Sequence, residues 1–491
     1  MIRWLTPLLC ALVLVAACAP VGRLSEKIGK NRLFRPEVVT CFKGSEPCLD
    51  PSELWIADLH ADTLLWQRDL RKKIPRDSTI GHVTTQRLIE GGIGLQVFAV
   101  PTQTPIPTFL EGGDQCASKS SLDTQKLLKI QELFPDPRVF YETRPRALQH
   151  IRRYKHWIAD DRAKLSWIQT TTGLDSVPEG KVGALLALEG LHWVKGTKEE
   201  ISEQINELAD EGVQMASLTH RFTNALGNSS EDCHLEADEQ PLTKAGEVAI
   251  NAMVARGIIF DFAHASAGLI TAASKLLIEH ERAQRSVDGA GPERAIRSVM
   301  SHGGVHRVCP YKRNLRPESV RDIVKAGGII AIGYWTEALC LPDDAGPDDV
   351  FLNFTLSQVA IFQALSDSDF REEYESIWCS EGKTCPDFDP FDHIALGSDF
   401  DGAVRMVLDT SDVPAILASL AAITCDDLKK ARNFASNALA DVTSNAREEL
   451  IEFCKKAGRS GGEILPFDTE QITKIAGGNV RKLLLQVLPR T

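Results

Sequence analysis

The sequence predicts an α/β fold, a (β/α)8 barrel of the TIM type with long loop insertions and a helical C-terminal region. Three observations carry this expectation. Eight short apolar runs recur along the chain, amphipathic helical patterns fall between them, and polar side chains able to bind metal or move protons gather at their ends.

The runs lie at 54–60, 93–100, 182–189, 213–219, 257–264, 296–302, 327–334 and 393–399. They are apolar nearly throughout, as parallel strands buried on both faces are. Helical patterns between them include Ser121–Phe134, Lys198–Glu211, Thr243–Arg256, Ala267–Glu281 and Pro317–Ala326. Gly212, Gly257 and Gly327 stand just before the next run, which fits a helix C-cap leading into a tight turn. Repeated strand-then-helix units of this kind close into a barrel. The 491 residues exceed a typical barrel. The excess falls in loops around 102–180 and 341–392 and in a helical region at about 411–488. The barrel domain is expected over residues 51–491.

The N-terminus reads as a targeting segment. Met1–Ala17 carries one charge, Arg3, and an apolar stretch ending in small residues, which is the pattern of a secretory signal. Cys18 directly after it resembles a bacterial lipobox. The expectation is an exported protein of a bacterial cell envelope, lipid-anchored at the membrane surface through Cys18. The alternative is a plain signal peptide cut near Ala17 or Ala19. Residues 18–50 read as a tether and the loop leading into the barrel.

Twelve cysteines, less Cys10 and Cys18, leave ten. An even number in an exported chain reads as disulfides. No C-x-x-C pair occurs, which argues against a structural zinc site. Cys41–Cys48 and Cys379–Cys385 are natural local pairs. The net charge of −12 gives no basic footprint, so nucleic acid is excluded as an expected partner.

Chemistry in such barrels sits at the C-terminal ends of the strands. Here those ends carry His60 and Asp62, Val100, Glu189, His220, His264, His302, Tyr334 and Trp335, and Asp399 and Asp401. A single His-x-Asp after an apolar run is usually a turn. Titratable groups at six of eight strand ends form a pattern that packing does not explain. His60, Asp62, His264 and His302 offer three imidazoles and a carboxylate. With Glu189 added they exceed one open catalytic zinc site and suit two metals. A carboxylate such as Glu189 can bridge cations roughly 3.5–4 Å apart. Such a pair activates water as a bridging hydroxide against carbonyl or phosphoryl substrates. Asp399 suits a proton carrier, with Asp401 as the second choice. His220 suits a donor to the developing oxyanion, or else a fifth metal ligand or a packed histidine. The loop after His302 holds Arg307, Arg313 and Arg316, any of which could grip a substrate carboxylate.

These residues resemble the membrane dipeptidases, also called renal dipeptidases, of the amidohydrolase superfamily. The resemblance rests on DLHADT, LALEG, SLTHRFTNALGNS, IIFDFAHAS, SHGGVHRVCPYKRNL, GSDFDG and ITKIAGGNVRKLL, in order, over roughly residues 54 to 488. It implies a dipeptidase with two zinc ions. His60 and Asp62 would bind one zinc, His264 and His302 the other, and Glu189 would bridge them. His220 would contact the substrate at the scissile carbonyl. Arg313 would hold the C-terminal carboxylate and limit the substrate to two residues, and Asp399 would shuttle the proton. The resemblance also implies tolerance of a C-terminal D-residue, frequent homodimers, and the disulfides Cys309–Cys340 and Cys116–Cys233, with Cys425–Cys454 left as the remaining pair. Departures are His306, where an aromatic or small residue is common, and EGLHWV in place of EGGH. Two alternatives stand beside this reading. One is another amidohydrolase acting on a lactone, an N-acyl amino acid or a phosphoester. The other is an inactive lipid-anchored binding protein, against which the complete ligand set argues.

Overall fold

The computed structural model describes residues 54–66, 68–75, 80–103, 137–232, 241–288, 297–378, 388–402, 404–432, 440–458 and 462–490. Nine strands are present among them. They are β1 (Ile56–Ala61), β2 (Ile93–Pro101), β3 (Leu165–Trp167), β4 (Val182–Glu189), β5 (Met215–Ser217), β6 (Ile259–Asp261), β7 (Ser298–Met300), β8 (Ile329–Ile332) and β9 (Ile394–Leu396).

Each of the eight expected runs contains a strand. All pairings are parallel, in the order β2-β1-β9-β8-β7-β6-β5-β4. The ring closes where β2 meets β4, in unbroken register from Leu95 opposite Gly183 to Pro101 opposite Glu189. The short β3 was not expected. It pairs with Val182–Ala184 at the start of β4 and is an addition to the eight-stranded barrel.

Alternate residues of the barrel strands form one apolar cluster. It contains Ala57, Leu95, Val97, Leu185, Ala187, Met215, Ile259, Val299, Ile329, Ala331 and Ala395. This is the barrel interior, as the period-two alternation of strand side chains requires. The helix Asn479–Val487 adds Val480, Leu483 and Leu484 to it. That helix sits at the strands' N-terminal end, where Gly477 approaches the backbone of Trp55. The opposite strand faces, with Phe98, Val100, Leu186, Leu188 and Phe260, join the larger cluster shared with the surrounding helices.

The helices follow their sequence signals. Lys198–Asp210 begins with a reciprocal cap. Thr197 Oγ1 accepts from Glu200 N at 3.3 Å and Glu200 Oε2 accepts from Thr197 N at 2.7 Å. Gly212, Gly257 and Gly327 adopt φ of 90°, 67° and 76°, the left-handed turn expected before β5, β6 and β8. The helix after β6 runs Ala267–Asp288, longer than its apolar pattern indicated. The stretches expected as loops are partly helical. Thr143–Ala159 lies in the first, and Pro347–Leu365 and Ser368–Trp378 in the second. The C-terminal helices are Val413–Leu420, Ala440–Lys456, Thr469–Thr473 and Asn479–Val487.

Cys309–Cys340 and Cys425–Cys454 are disulfides. The expected helix Ser121–Phe134, the signal segment, Cys18 and the pairs Cys41–Cys48, Cys116–Cys233 and Cys379–Cys385 lie outside the described residues. Among the described residues, no helix is long and apolar enough to cross a membrane.

Candidate active site

Glu189 is the last residue of β4 and is buried. Gly190 follows with φ 82°, and a Cβ there would lie 2.6 Å from His192 Nε2 and 3.1 Å from the His220 Cβ. Only glycine lets the chain turn this close beneath two histidines. His60 lies within β1, with Asp62 just beyond it. His220, His264, His302 and Asp399 each follow the ends of β5, β6, β7 and β9 by two or three residues. His264 and Asp399 hold φ of 64° and 59°, unusual for side chains with a Cβ and typical of functional sites.

These turns bring the expected residues together around Glu189. Its Oε1 lies 2.8 Å from His264 Nε2, 3.4 Å from His302 Nε2 and 3.7 Å from His60 Nε2. Its Oε2 lies 3.5 Å from His220 Nε2. His60 Nε2 is 3.5 Å from Asp62 Oδ1 and 4.0 Å from Asp399 Oδ1. Three donor groups result: His60, Asp62 and Asp399; His60, Glu189 and His302; and Glu189, His220 and His264. The resemblance pairs His302 with His264. In the structure the His302 ring lies closer to His60, with ring centres 3.7 Å apart against 5.2 Å to His264.

The residues fit metal ions. Donors held tetrahedrally at about 2.0–2.1 Å from a zinc ion are about 3.4 Å from one another. Most of the distances around Glu189 match that spacing. Buried polar atoms ordinarily have partners. Yet His60 Nε2, Asp62 Oδ1, Glu189 Oε2 and His302 Nε2 are buried here without a hydrogen-bond partner.

The electrostatics agree. Burial pushes the Asp62 carboxyl up to about 8, with the Asp401 charge adding to it. Burial pushes Asp399 up to about 7. Burial, then the charges of Asp62 and Asp399, push Glu189 well above its ordinary range. Burial lowers His60, His220 and His302, and holds His264 down at about 3. Neutral imidazoles beside crowded carboxylates are a cation-binding arrangement.

Contacts behind the site orient it. His264 Nδ1 lies 2.6 Å from Glu231 Oε2, so Nδ1 carries the proton and Nε2 presents its lone pair to Glu189. A carboxylate behind a metal-binding histidine is a common second layer. Burial raises Glu231, but Arg221, His264 and Arg313 outweigh it and hold the carboxyl below its usual range. His220 Nδ1 lies 2.8 Å from the carbonyl of Gln103. A carbonyl only accepts, so Nδ1 is the protonated nitrogen and neutral His220 presents a lone pair at Nε2.

The three arginines differ in their surroundings. Arg313 is buried, with Nη2 2.9 Å from His264 Nε2 and its guanidinium 4.9 Å from the centre of the Trp335 ring. Leu315 N donates to Gly304 O at 2.9 Å, and Asn314 ties the loop to Cys309 O and Ala338 O. Arg307 pairs with Glu449 at the surface, and Arg316 is exposed. Asp401 is engaged elsewhere. Its carboxylate accepts from Gly81 N at 2.6 Å and His82 N at 2.8 Å and pairs with Arg68. It anchors the segment after β1 and is not placed to carry a catalytic proton.

Glu231, Asp261, Ser301 and the Trp335 contact with Arg313 were not foreseen. Glu231 arrives through a loop, where Ser229 bridges Ala265 and Ser230 N donates to His264 O at 2.9 Å. The signal for Asp261 and Ser301 was their place within one to three residues of His264 and His302.

Comparisons with known proteins bear on the family and the fold. The model of the membrane dipeptidase family, peptidase family M19, matches residues 51–358, more than half of the chain. Dipeptidase aclJ of Aspergillus oryzae is 27% identical over 258 residues, covering 51% of this chain and 49% of that protein. The chain thus spans about half the length of this curated relative. A solved metallopeptidase of family M19, dipeptidase AC, superposes with a TM-score of 0.53 at 17% identity, covering 89% of this chain and 99% of that one. A metallopeptidase from Rhodobacter sphaeroides, liganded with a phosphinate mimic of the dipeptide L-Ala-D-Ala, gives 0.53 at 15% identity, covering 88% and 99%. The structural likenesses establish the fold, and the family match establishes the lineage. The chain belongs to the membrane dipeptidase family, peptidase family M19.

Proposed function

We propose that this chain is a two-zinc dipeptidase that hydrolyses dipeptides with a free C-terminal carboxylate, including those with a C-terminal D-residue. One observation carries the reading. Glu189 stands among His60, His264 and His302 at 2.8–3.7 Å, and Arg313 reaches the same His264. The D-residue is suggested by the L-Ala-D-Ala mimic on the Rhodobacter relative.

His60, Asp62, Glu189, His264 and His302 would hold the metals. Two bound zinc ions supply a water of lowered pKa and polarise the carbonyl. The chain's own groups do the rest. Arg313 pairs with the substrate carboxylate and sets where the peptide ends. Its contact with the Trp335 face holds the guanidinium in place. Asp399 Oδ1 takes the proton of the attacking water and returns it to the leaving nitrogen as the C–N bond breaks. Its place beside His60, 4.0 Å from Nε2, lets it reach both the attacking water and the leaving nitrogen.

His220 faces the scissile carbonyl in this reading. It can donate from Nε2 only as an imidazolium, since Nδ1 is held by Gln103 O. That observation favours a second role, a lone pair on a metal. Metal content of His220→Ala separates the two, being unchanged for the substrate role and reduced for the ligand role.

Export and lipid anchoring through Cys18 are part of the proposal and rest on the sequence of residues 1–18. Mass spectrometry of the mature N-terminus tests them. A free, unacylated terminus would remove the anchor.

Zinc-loaded protein assayed on L-Ala-L-Ala, L-Ala-D-Ala and their C-terminal amides tests the substrate. Cleavage of the free dipeptides alone is expected. Equal cleavage of the amides would overturn the carboxylate requirement. Cleavage only of lactones or phosphoesters would move the chain to another hydrolase activity.

A further inference from the structure

Behind the histidines lies a hydroxyl that the reaction itself does not use. Ser301 Oγ is buried, 2.9 Å from His302 Nδ1 and 3.4 Å from His60 Nδ1. It is also 2.6 Å from Asp261 Oδ2. Asp261 Oδ1 accepts from Ser301 N and Ala263 N, both at 2.9 Å.

A hydroxyl has one hydrogen to give and two lone pairs to receive. Asp261 Oδ1 is fixed by two backbone N–H groups, and Oδ2 of the carboxylate accepts the Ser301 hydrogen. The two lone pairs of Ser301 Oγ then face the two imidazoles. With each ring's hydrogen on Nδ1, each Nε2 would present a lone pair to Glu189. His60 and His302 come from β1 and from just beyond β7, yet their ring centres lie 3.7 Å apart, tilted by 35°. A shared acceptor between them accounts for that approach.

We propose that Ser301, oriented by Asp261, is a positioning residue that sets the tautomer of His60 and His302 together, so that one hydroxyl prepares two metal-binding nitrogens at once. The inference rests on the proposed metal centre. His264 is served separately by Glu231, so loss of Ser301 leaves that ligand's partner intact.

The test uses the full chain stripped of metal and titrated with Co²⁺ alone, read by visible absorption and chelator competition. Ser301→Ala should weaken Co²⁺ binding about 10- to 100-fold, the usual cost of losing a second-layer partner. Ser301→Thr, which keeps the hydroxyl, should recover most of it. Nitrogen-15 spectra of the metal-free protein should place hydrogen on Nδ1 of His60 and His302 in the wild type. Ser301→Ala should redistribute it toward Nε2. Unchanged Co²⁺ affinity in Ser301→Ala, with wild-type tautomers, would overturn the relay and leave the metal centre standing. Failure of the wild type itself to bind Co²⁺ would overturn the metal centre and the relay with it.

Discussion

His264 Nε2 lies 2.8 Å from Glu189 Oε1, while His264 Nδ1 gives its hydrogen to Glu231. Two lone pairs therefore face each other in a buried site. Such a contact holds with a positive charge close by, or with a proton on Glu189, whose carboxyl burial raises well above its ordinary range. In the structure Arg313 Nη2 lies 2.9 Å from the same His264 nitrogen. In the loaded enzyme a metal ion is expected there.

Glu189 should be indispensable for metal. Glu189→Gln keeps the shape and removes the charge, so it should lose at least one of two metals by elemental analysis. Full metal content in that variant would contradict a bridging role.

Asp399 should matter for turnover and not for binding. Asp399→Asn is expected to lower kcat about 10²- to 10⁴-fold, as loss of a general acid–base does. KM and metal content should stay near wild type. A near-normal kcat would remove Asp399 as the proton carrier.

Arg313→Ala should lower kcat/KM on free dipeptides roughly 10- to 100-fold, the scale of lost hydrogen bonds to a charged group. C-terminal amides should be affected far less. Equal losses on both would count against the carboxylate contact.

The metal-free protein should lose stability as pH rises through about 7.5 to 8.5. The four site histidines are lowered by burial from 6.5, so in the unfolded chain they still bind protons near that value, and this opposing effect has largely gone above about 7.5. Asp62 and Asp399 are raised from 3.8 to about 8 and about 7. The folded chain thus keeps protons that the unfolded chain has released, and stability falls with rising pH. This contribution is complete below 3.8 and is lost as pH passes about 7 and about 8. Metal replaces those protons, so the loaded protein should show no comparable fall in Tm. A metal-free Tm that rises across this range would contradict the crowded-carboxylate account.

Much of this site was legible at the strand ends. His60, Asp62, Glu189, His220, His264, His302 and Asp399 each end an apolar run or follow one closely, because barrel strands deliver their last residues to one rim. Arg313 was one of three by the residues alone, and the family resemblance singled it out. Burial of Arg313 against Trp335, the pairing of Arg307 with Glu449 and the exposure of Arg316 are consistent with that choice. Asp401 looks equivalent to Asp399 in GSDFDG, and only the packing of Arg68, Gly81 and His82 separates them. β3 escaped notice because Leu-Ser-Trp is too short for a periodic signal. Glu231 could not be foreseen, since a loop carries it to a histidine 33 residues away.

The most direct test of the central claim is anomalous diffraction at the zinc edge from crystals of the zinc-loaded chain. The account predicts two peaks flanking Glu189, with His60 and Asp62 beside one and His264 beside the other. A single peak, or peaks that leave Glu189 without a metal on both sides, would contradict it.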